Sequence, residues 1–377
     1  MKVLRVLLVA VLAITLVVGT SGCKSTTPDE TSVEPMKIAW IYPGPHNDGG
    51  YSQAHDNGRL YVQENVSDVE TAYSELVSDD MAEKVCRDYA SQGYKLIFAT
   101  SFGMMKGMMA AAKDFPDVTF MHASGYPLPT DLPNMGIYFG RLEQPDYLAG
   151  LVAGKMTKTN YIGFVLPFSI PECIREVNSF TTGVREVNSK AEVHVIYTNS
   201  WVDPVKEKAA AEAHLAAGAD IIASGCDTPA SLEAAYKAGK YGVGYDMDAA
   251  AAAVATDPAF AKSVLTSRVW NWGPYYKQVV EEVKAGTWKQ GDYWGGMTDG
   301  IVDLAPMSEV VPQAVKDLVE ARKQEILQGT FDPFMGPQYD QAGTLRIPAG
   351  QTLNDQEQRD LQWFVKGVVG DIPKGGS

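Results

Sequence analysis

Gly44-Pro45-His46-Asn47-Asp48-Gly49-Gly50-Tyr51-Ser52-Gln53-Ala54-His55 is the stretch on which the reading of this chain turns. Before it runs Lys37-Ile38-Ala39-Trp40-Ile41-Tyr42, whose length and apolar composition predict a buried parallel strand. After it, Tyr51 to Glu64 is amphipathic and predicts a helix. A Gly- and Pro-rich turn from strand to helix lies at the carboxyl edge of a parallel sheet, where open α/β folds place ligands. Asn47 and Asp48 can cap the helix, and the paired glycines let the backbone approach a bound molecule closely. Tyr51 adds a flat aromatic face at the mouth. An ordinary βα turn would read the same way, so the rest of the chain has to decide.

With 377 residues the chain has room for about two domains. Its 32 Lys+Arg against 46 Asp+Glu give a net charge of −14, which argues against nucleic acid as a partner. At the amino end Lys2 and Arg5 precede an apolar run, Val6 to Val18, relieved only by Thr15 and followed by Thr20-Ser21-Gly22-Cys23. That run is too short to span a bilayer and reads as a secretory signal. Cys23 directly after small residues resembles a bacterial lipobox. The expectation is a signal peptide over 1–22, lipidation of Cys23, and a tether over 23–36 rich in Ser, Thr, Pro and acids. Such a protein sits at the cell membrane, facing outward. Removing Lys2 and Arg5 from the −14 total makes the mature side-chain charge −16. Cys86, Cys173 and Cys226 then allow at most one disulfide, and no spacing suggests a metal site.

An internal repeat supplies the organisation. Ile38-Ala39-Trp40 corresponds to Ile162-Gly163-Phe164, and Lys95-Leu96-Ile97-Phe98-Ala99 to Asp220-Ile221-Ile222-Ala223-Ser224. Gly58-Arg59 leading to Val66 likewise matches Gly183-Val184 leading to Ala191. Between the strands each half carries a helix. Ala82, Val85, Cys86, Tyr89 and Ala90 mark one; Asp203 as cap and Pro204 in the first turn open the other. Both halves read β-α-β-α-β, so the expected fold class is α/β, two lobes with parallel sheets flanked by helices. The expected lobes are 37–158 with 270–295, and 159–269 with 296–377, the last helix lying near Asn354–Gly367.

Two lobes imply a cleft lined by loops from both sheets. Tyr51 and Phe102 come from the first lobe, and Trp201, Asp227 and Asp246 from the second, so each side offers aromatics and the cleft collects carboxylates. A planar heteroaromatic ring suits this set, because it stacks on aromatic faces and its N–H edges pair with carboxylates. The plainer readings are a surface tyrosine, a core tryptophan, and turn-closing aspartates. Asp203 is read as an N-cap. No Walker A loop, H-E-x-x-H or G-x-S-x-G is present, and the five His fit structural positions, so no enzyme is expected.

The lipobox, Asn47-Asp48-Gly49-Gly50-Tyr51-Ser52-Gln53, Phe115-Pro116-Asp117-Val118, Leu148-Ala149-Gly150, Asn199-Ser200-Trp201-Val202-Asp203-Pro204 and Gly244-Tyr245-Asp246 resemble the basic membrane protein family. The resemblance covers about Lys37 to Pro373. It implies a periplasmic-binding-protein type I fold with a three-segment hinge. The function implied is that of a lipid-anchored substrate-binding component of an ABC importer, closing on a purine and delivering it to permease subunits as a monomer, without cofactor or metal. It also implies a purine sandwich of Tyr51 and Trp201, and acidic contacts from Asp48 and Asp246. Trp272-Gly273-Pro274-Tyr275-Tyr276, Trp294-Gly295-Gly296-Met297 and Pro333-Phe334-Met335-Gly336-Pro337 resemble a subgroup that binds free bases such as adenine. Nucleoside binders of the family carry a Lys near the place where Trp270 stands, which favours a base over a nucleoside. Asn47, Phe102, Asp227, Trp270 and Trp272 complete the candidate site. The alternative is a signalling receptor of the same fold. A lipid-anchored nucleoside hydrolase would need an acid cluster with Ca²⁺ spacing, which the sequence lacks.

Overall fold

A computed structural model describes residues 34–373. The expected signal peptide, Cys23 and most of the tether lie outside the described residues. In chain order the elements are β1 (Met36–Ile41), α1 (Tyr51–Asn65), β2 (Val69–Ser74), α2 (Ala82–Ser91), β3 (Leu96–Ala99), α3 (Met105–Asp114), β4 (Thr119–Ala123) and β5 (Met135–Gly140). There follow α4 (Glu143–Met156), β6 (Tyr161–Leu166), α5 (Pro171–Val187), β7 (Glu192–Tyr197), α6 (Pro204–Ala216), β8 (Ile221–Ser224), α7 (Ala230–Lys237) and β9 (Tyr241–Gly244). Then come α8 (Ala249–Ala253), α9 (Pro258–Ser263), β10 (Val264–Trp270), α10 (Trp272–Ala285), β11 (Asp292–Gly295), β12 (Val302–Leu304) and α11 (Gln313–Leu327). The tail holds β13 (Gln338–Tyr339), β14 (Leu345–Ile347), α12 (Asp355–Arg359) and β15 (Val368–Val369).

The repeat is realised strand for strand. One sheet has the order β11-β5-β4-β3-β1-β2 and the other β12-β10-β9-β8-β6-β7-β15. Reading inward from β2 and β7, both follow the doubly wound order in which the chain reverses direction beside the first strand. All pairings within the first sheet are parallel, whereas β12 runs antiparallel to β10. Strand β1 shows why the apolar run is continuous. Ile38, Trp40 and Tyr42 enter one buried cluster and Ala39 and Ile41 the other, because helices cover both faces of the sheet.

Three connections pass between the sheets: β5 to α4, β10 to α10, and β11 to β12. They lie side by side, with the Arg141 N–H donating to the Gly295 carbonyl at 2.7 Å and the Asn271 N–H to the Ile301 carbonyl at 2.8 Å. Helix α4 differs from expectation. The expected first lobe runs to 158, yet α4 packs on α5, β10 and β12 of the second sheet. Gly150 and Gly183 make that packing close: a Cβ on either would lie 2.0 or 2.1 Å from the carbonyl oxygen of Phe180 or Tyr147. The tail also differs. Instead of a helix over Asn354–Gly367 there is one short turn, α12, capped by Asn354, and then β15 beside β7. Leu361, Phe364, Val365 and Val368 do stand at helical spacing, but they are buried instead through a bridge of Val365 to Asp340 and the pairing of Val368 with Val193.

Cys86, Cys173 and Cys226 are buried free thiols. Among the described residues no helix is long and apolar enough to cross a membrane.

Candidate functional site

The carboxyl ends of β1, β3, β6 and β8 face one another across the cleft, and the loops that follow them build the site. A cavity of about 640 Å³ opens there. A narrow inner compartment of about 20 Å³, lined by Tyr51 and Trp201 among others, adjoins it. Ser101, Phe102, Ser124, Glu172 and Trp201 line both spaces, so the two adjoin.

Tyr51 is the first residue of α1, and its ring meets His55 edge-on at 4.4 Å. His55 in turn stacks on Trp272 at 4.5 Å and bonds the Tyr276 hydroxyl at 2.5 Å. This buried aromatic stack fixes the tyrosine from behind. Trp201 lies on the loop between β7 and α6, held edge-on by Phe168 at 5.4 Å. Asp203 caps α6, accepting from the Lys206 N–H at 3.1 Å, as its place before Pro204 predicts.

Asp227 and Glu172 supply the charge. Both line the inner compartment. Burial pushes the Asp227 carboxyl well above the usual carboxylate range, and Asp246 and Asp48 push it further. Burial raises Glu172 to about 7 against the pull of Arg175. Among the described residues neither side chain bonds a protein donor. An N–H-bearing ring edge would supply one, and a protonated carboxyl could donate to a ring nitrogen in return.

The other candidates take different places. Asp48 is spent on the backbone: it accepts from the N–H groups of Gly50, Ser52 and Gln53 at 2.9 to 3.0 Å, satisfying the amino end of α1. Asn47 is exposed beside it and does not line the cavity. Asp246 is fully buried in a left-handed conformation, φ +64, and accepts from the Trp270 indole N–H at 2.8 Å. Trp270 belongs to the hinge, since β10 extends through it and its ring sits over Gly140, where a Cβ would lie 2.4 Å away. It stacks on Trp272 at 4.7 Å, so both indoles back the site without lining it. Tyr51, Phe102, Trp201 and Asp227 are thus brought together at the cavity; Asp48, Asn47, Asp246, Trp270 and Trp272 are not.

Glu172, Phe168 and Arg175 also line the cavity. Their signal was available: an apolar strand, a Pro-flanked loop and Pro171 opening α5 place them at the same sheet edge as Trp201. Arg359 and Gln362, from the tail, carried no such signal.

Among the described residues no group of His, Cys, Asp or Glu is arranged to hold a metal.

The family model for PnrA-like ABC transporter substrate-binding proteins matches residues 36–330. A purine-binding protein of Brucella abortus is 37% identical over 343 residues, covering 90% of this chain and 95% of the relative. A protein of Haloferax volcanii named as an ABC transporter glucose-binding protein is 35% identical over 340 residues, covering 90% of this chain and 82% of the relative. Among solved structures, an ABC transporter solute-binding protein from Conexibacter woesei superposes with a TM-score of 0.65 at 22% identity, covering 79% of this chain and 98% of that one. That last likeness is one of fold.

Proposed function

This chain belongs to the family of PnrA-like ABC transporter substrate-binding proteins, and from that premise we propose that it captures a purine in its cleft where the main cavity meets the inner compartment, a base such as adenine in preference to a nucleoside. The observation that carries the reading is that Tyr51, Trp201, Asp227 and Glu172 all line one narrow compartment. Two flat faces and two carboxylates free to bond suit a planar ring with amino and ring N–H groups. A base-binding site needs no ribose contacts, and Asp246, whose Oδ1 accepts from the Trp270 indole N–H, does not line the cavity.

The Haloferax relative brings a second reading, a hexose, because sugars also stack on aromatic faces and bond carboxylates. Calorimetric titration of the purified protein with adenine, adenosine and glucose separates the readings. Adenine should bind at least about tenfold tighter than adenosine, a gap of about 1.4 kcal/mol. Glucose binding with no purine binding would overturn the proposal. Adenosine outcompeting adenine would overturn the base preference alone.

Lipid anchoring through Cys23 and delivery to a permease are part of the same proposal. Fatty-acid labelling lost in Cys23→Ala, and adenine uptake lost on deletion of the gene, are the expected outcomes. Intact uptake together with a lost transcriptional response to adenine would favour a signalling receptor instead.

A further inference from the structure

We propose that the outer compartment is a second subsite, which takes a flat or apolar substituent carried by the purine. This rests on the purine reading above and concerns the part of the cavity a free base leaves unfilled. A base of about ten non-hydrogen atoms displaces roughly the space of five waters, on the order of 150 Å³. The main cavity holds about 640 Å³, within the range that encloses a drug-sized ligand.

The walls define the chemistry. Phe102, Tyr126, Phe139, Phe168 and Trp294 line the outer compartment. Phe168 meets Trp201 at 5.4 Å, so the aromatic surface runs unbroken from the inner compartment outward. Two guanidiniums reach the same wall, each beside a carboxylate. Arg359 makes a bidentate pair with Asp292 at 2.5 and 2.9 Å, and Arg175 lies 3.4 Å from the buried Glu143 carboxylate. Both also lie over the Trp294 ring, at 4.7 and 4.9 Å. Their charge is therefore not on offer to a phosphate, while their planar faces extend the aromatic surface. The polar side chains on this wall, among them Asp79, Ser124, Ser169, Gln362 and the Glu172 shared with the inner compartment, interrupt a surface that is mostly apolar.

The compartment is also assembled from a separate part of the chain. Arg359, Gln362 and Pro373 close it, and all three lie beyond the segment 36–330 that the family model matches. The tail is fastened to both lobes: Asp355 pairs with Arg141 at 2.8 Å, and the Asn178 side chain bonds the backbone of Trp363 and Val365 at 2.8 Å. The outer wall is thus an ordered piece of structure on the ligand path.

The test is competition binding with adenine, N6-benzyladenine and AMP on the whole mature chain and on two variants, Ser169→Trp and Tyr126→Ala. Ser169→Trp fills the outer compartment, and Tyr126→Ala removes part of its aromatic wall. N6-benzyladenine should bind the unmodified protein at least about tenfold tighter than adenine. In each variant, with folding checked by circular dichroism, the ratio of the two affinities should fall toward one. Equal or weaker binding of N6-benzyladenine by the unmodified protein would overturn the subsite and leave the purine reading standing. A gain for AMP alone would overturn it in favour of an anion site. Failure of every purine to bind would overturn the purine reading, and the subsite with it.

Discussion

Gly50 and Asp227 touch across the cleft: a Cβ on Gly50 would lie 2.0 Å from the Asp227 carbonyl oxygen. Gly50 stands at the N-cap of α1 on the first lobe, and Asp227 follows β8 on the second. The neighbouring Gly49, at φ +85, faces Pro229 in the same way at 3.4 Å. The two lobes are therefore closed on each other, backbone against backbone, at the end of the cleft that holds Tyr51. Closure at this point admits no side chain at Gly50.

Gly50→Ala should consequently hold the lobes apart. We expect purine affinity to fall at least about tenfold, about 1.4 kcal/mol, and the radius of gyration from small-angle scattering in the presence of ligand to exceed that of the unmodified protein. Unchanged values in both measurements would mean that the facing loop gives way.

Tyr51→Ala and Trp201→Ala should each weaken purine binding by ~1–3 kcal/mol, about 5- to 150-fold, on the scale of base stacking against aromatic side chains. The Trp201 emission should also change on binding. Two variants with unaltered affinity would remove these rings from the site.

Arg268→Met probes the link between α4 and the second sheet. Arg268 and Asp146 are fully buried and 3.0 Å apart, and the guanidinium also donates to the Ser224 carbonyl at 2.5 Å. Removing one member of such a pair strands the other charge and costs about 3–5 kcal/mol. Burial raises the Asp146 carboxyl to about 7, so the loss measured by urea unfolding should be larger at pH 8 than at pH 6. A loss below about 1 kcal/mol at pH 8 would show that the carboxylate finds another partner.

Stability of the unliganded protein should fall as the pH rises. Glu172 has its carboxyl raised to about 7 from 4.5, so the folded state holds the proton more tightly than the unfolded chain. The stabilisation is complete below about pH 4.5 and is lost as the pH rises through about 7. Glu207, raised to about 7 by burial, acts in the same direction. Urea midpoints should therefore be higher at pH 5.5 than at pH 8, and Glu172→Gln should flatten part of that difference. An unflattened profile in the variant would assign the slope to other groups.

Much of the fold was legible because its signals are local. The apolar run from Ile38 to Tyr42 predicted a strand covered on both faces, and the echo of Ile38-Ala39-Trp40 in Ile162-Gly163-Phe164 placed β6 where β1 lies in the other sheet. Asp203 before Pro204 announced a helix start, and the cap is there. The loops after β1, β7 and β8 were placed at the cleft because parallel strands put their carboxyl ends on one edge.

By itself the sequence determined the doubled α/β architecture, the acidic net charge and the loops that meet, since each follows from periodicity or composition within a few residues. Only the tertiary structure decided which carboxylates are free. Asp48 and Asp227 look alike in sequence, yet one satisfies three backbone N–H groups and the other faces the cavity, because a carboxylate pairs with whichever donors the fold brings within hydrogen-bond reach. The same holds for Trp270, drawn into the hinge as the last residue of β10. It holds too for Arg359, whose place on the cavity wall depends on Asp292, 67 residues earlier. Contacts of that range carry no local signature, so packing alone settles them.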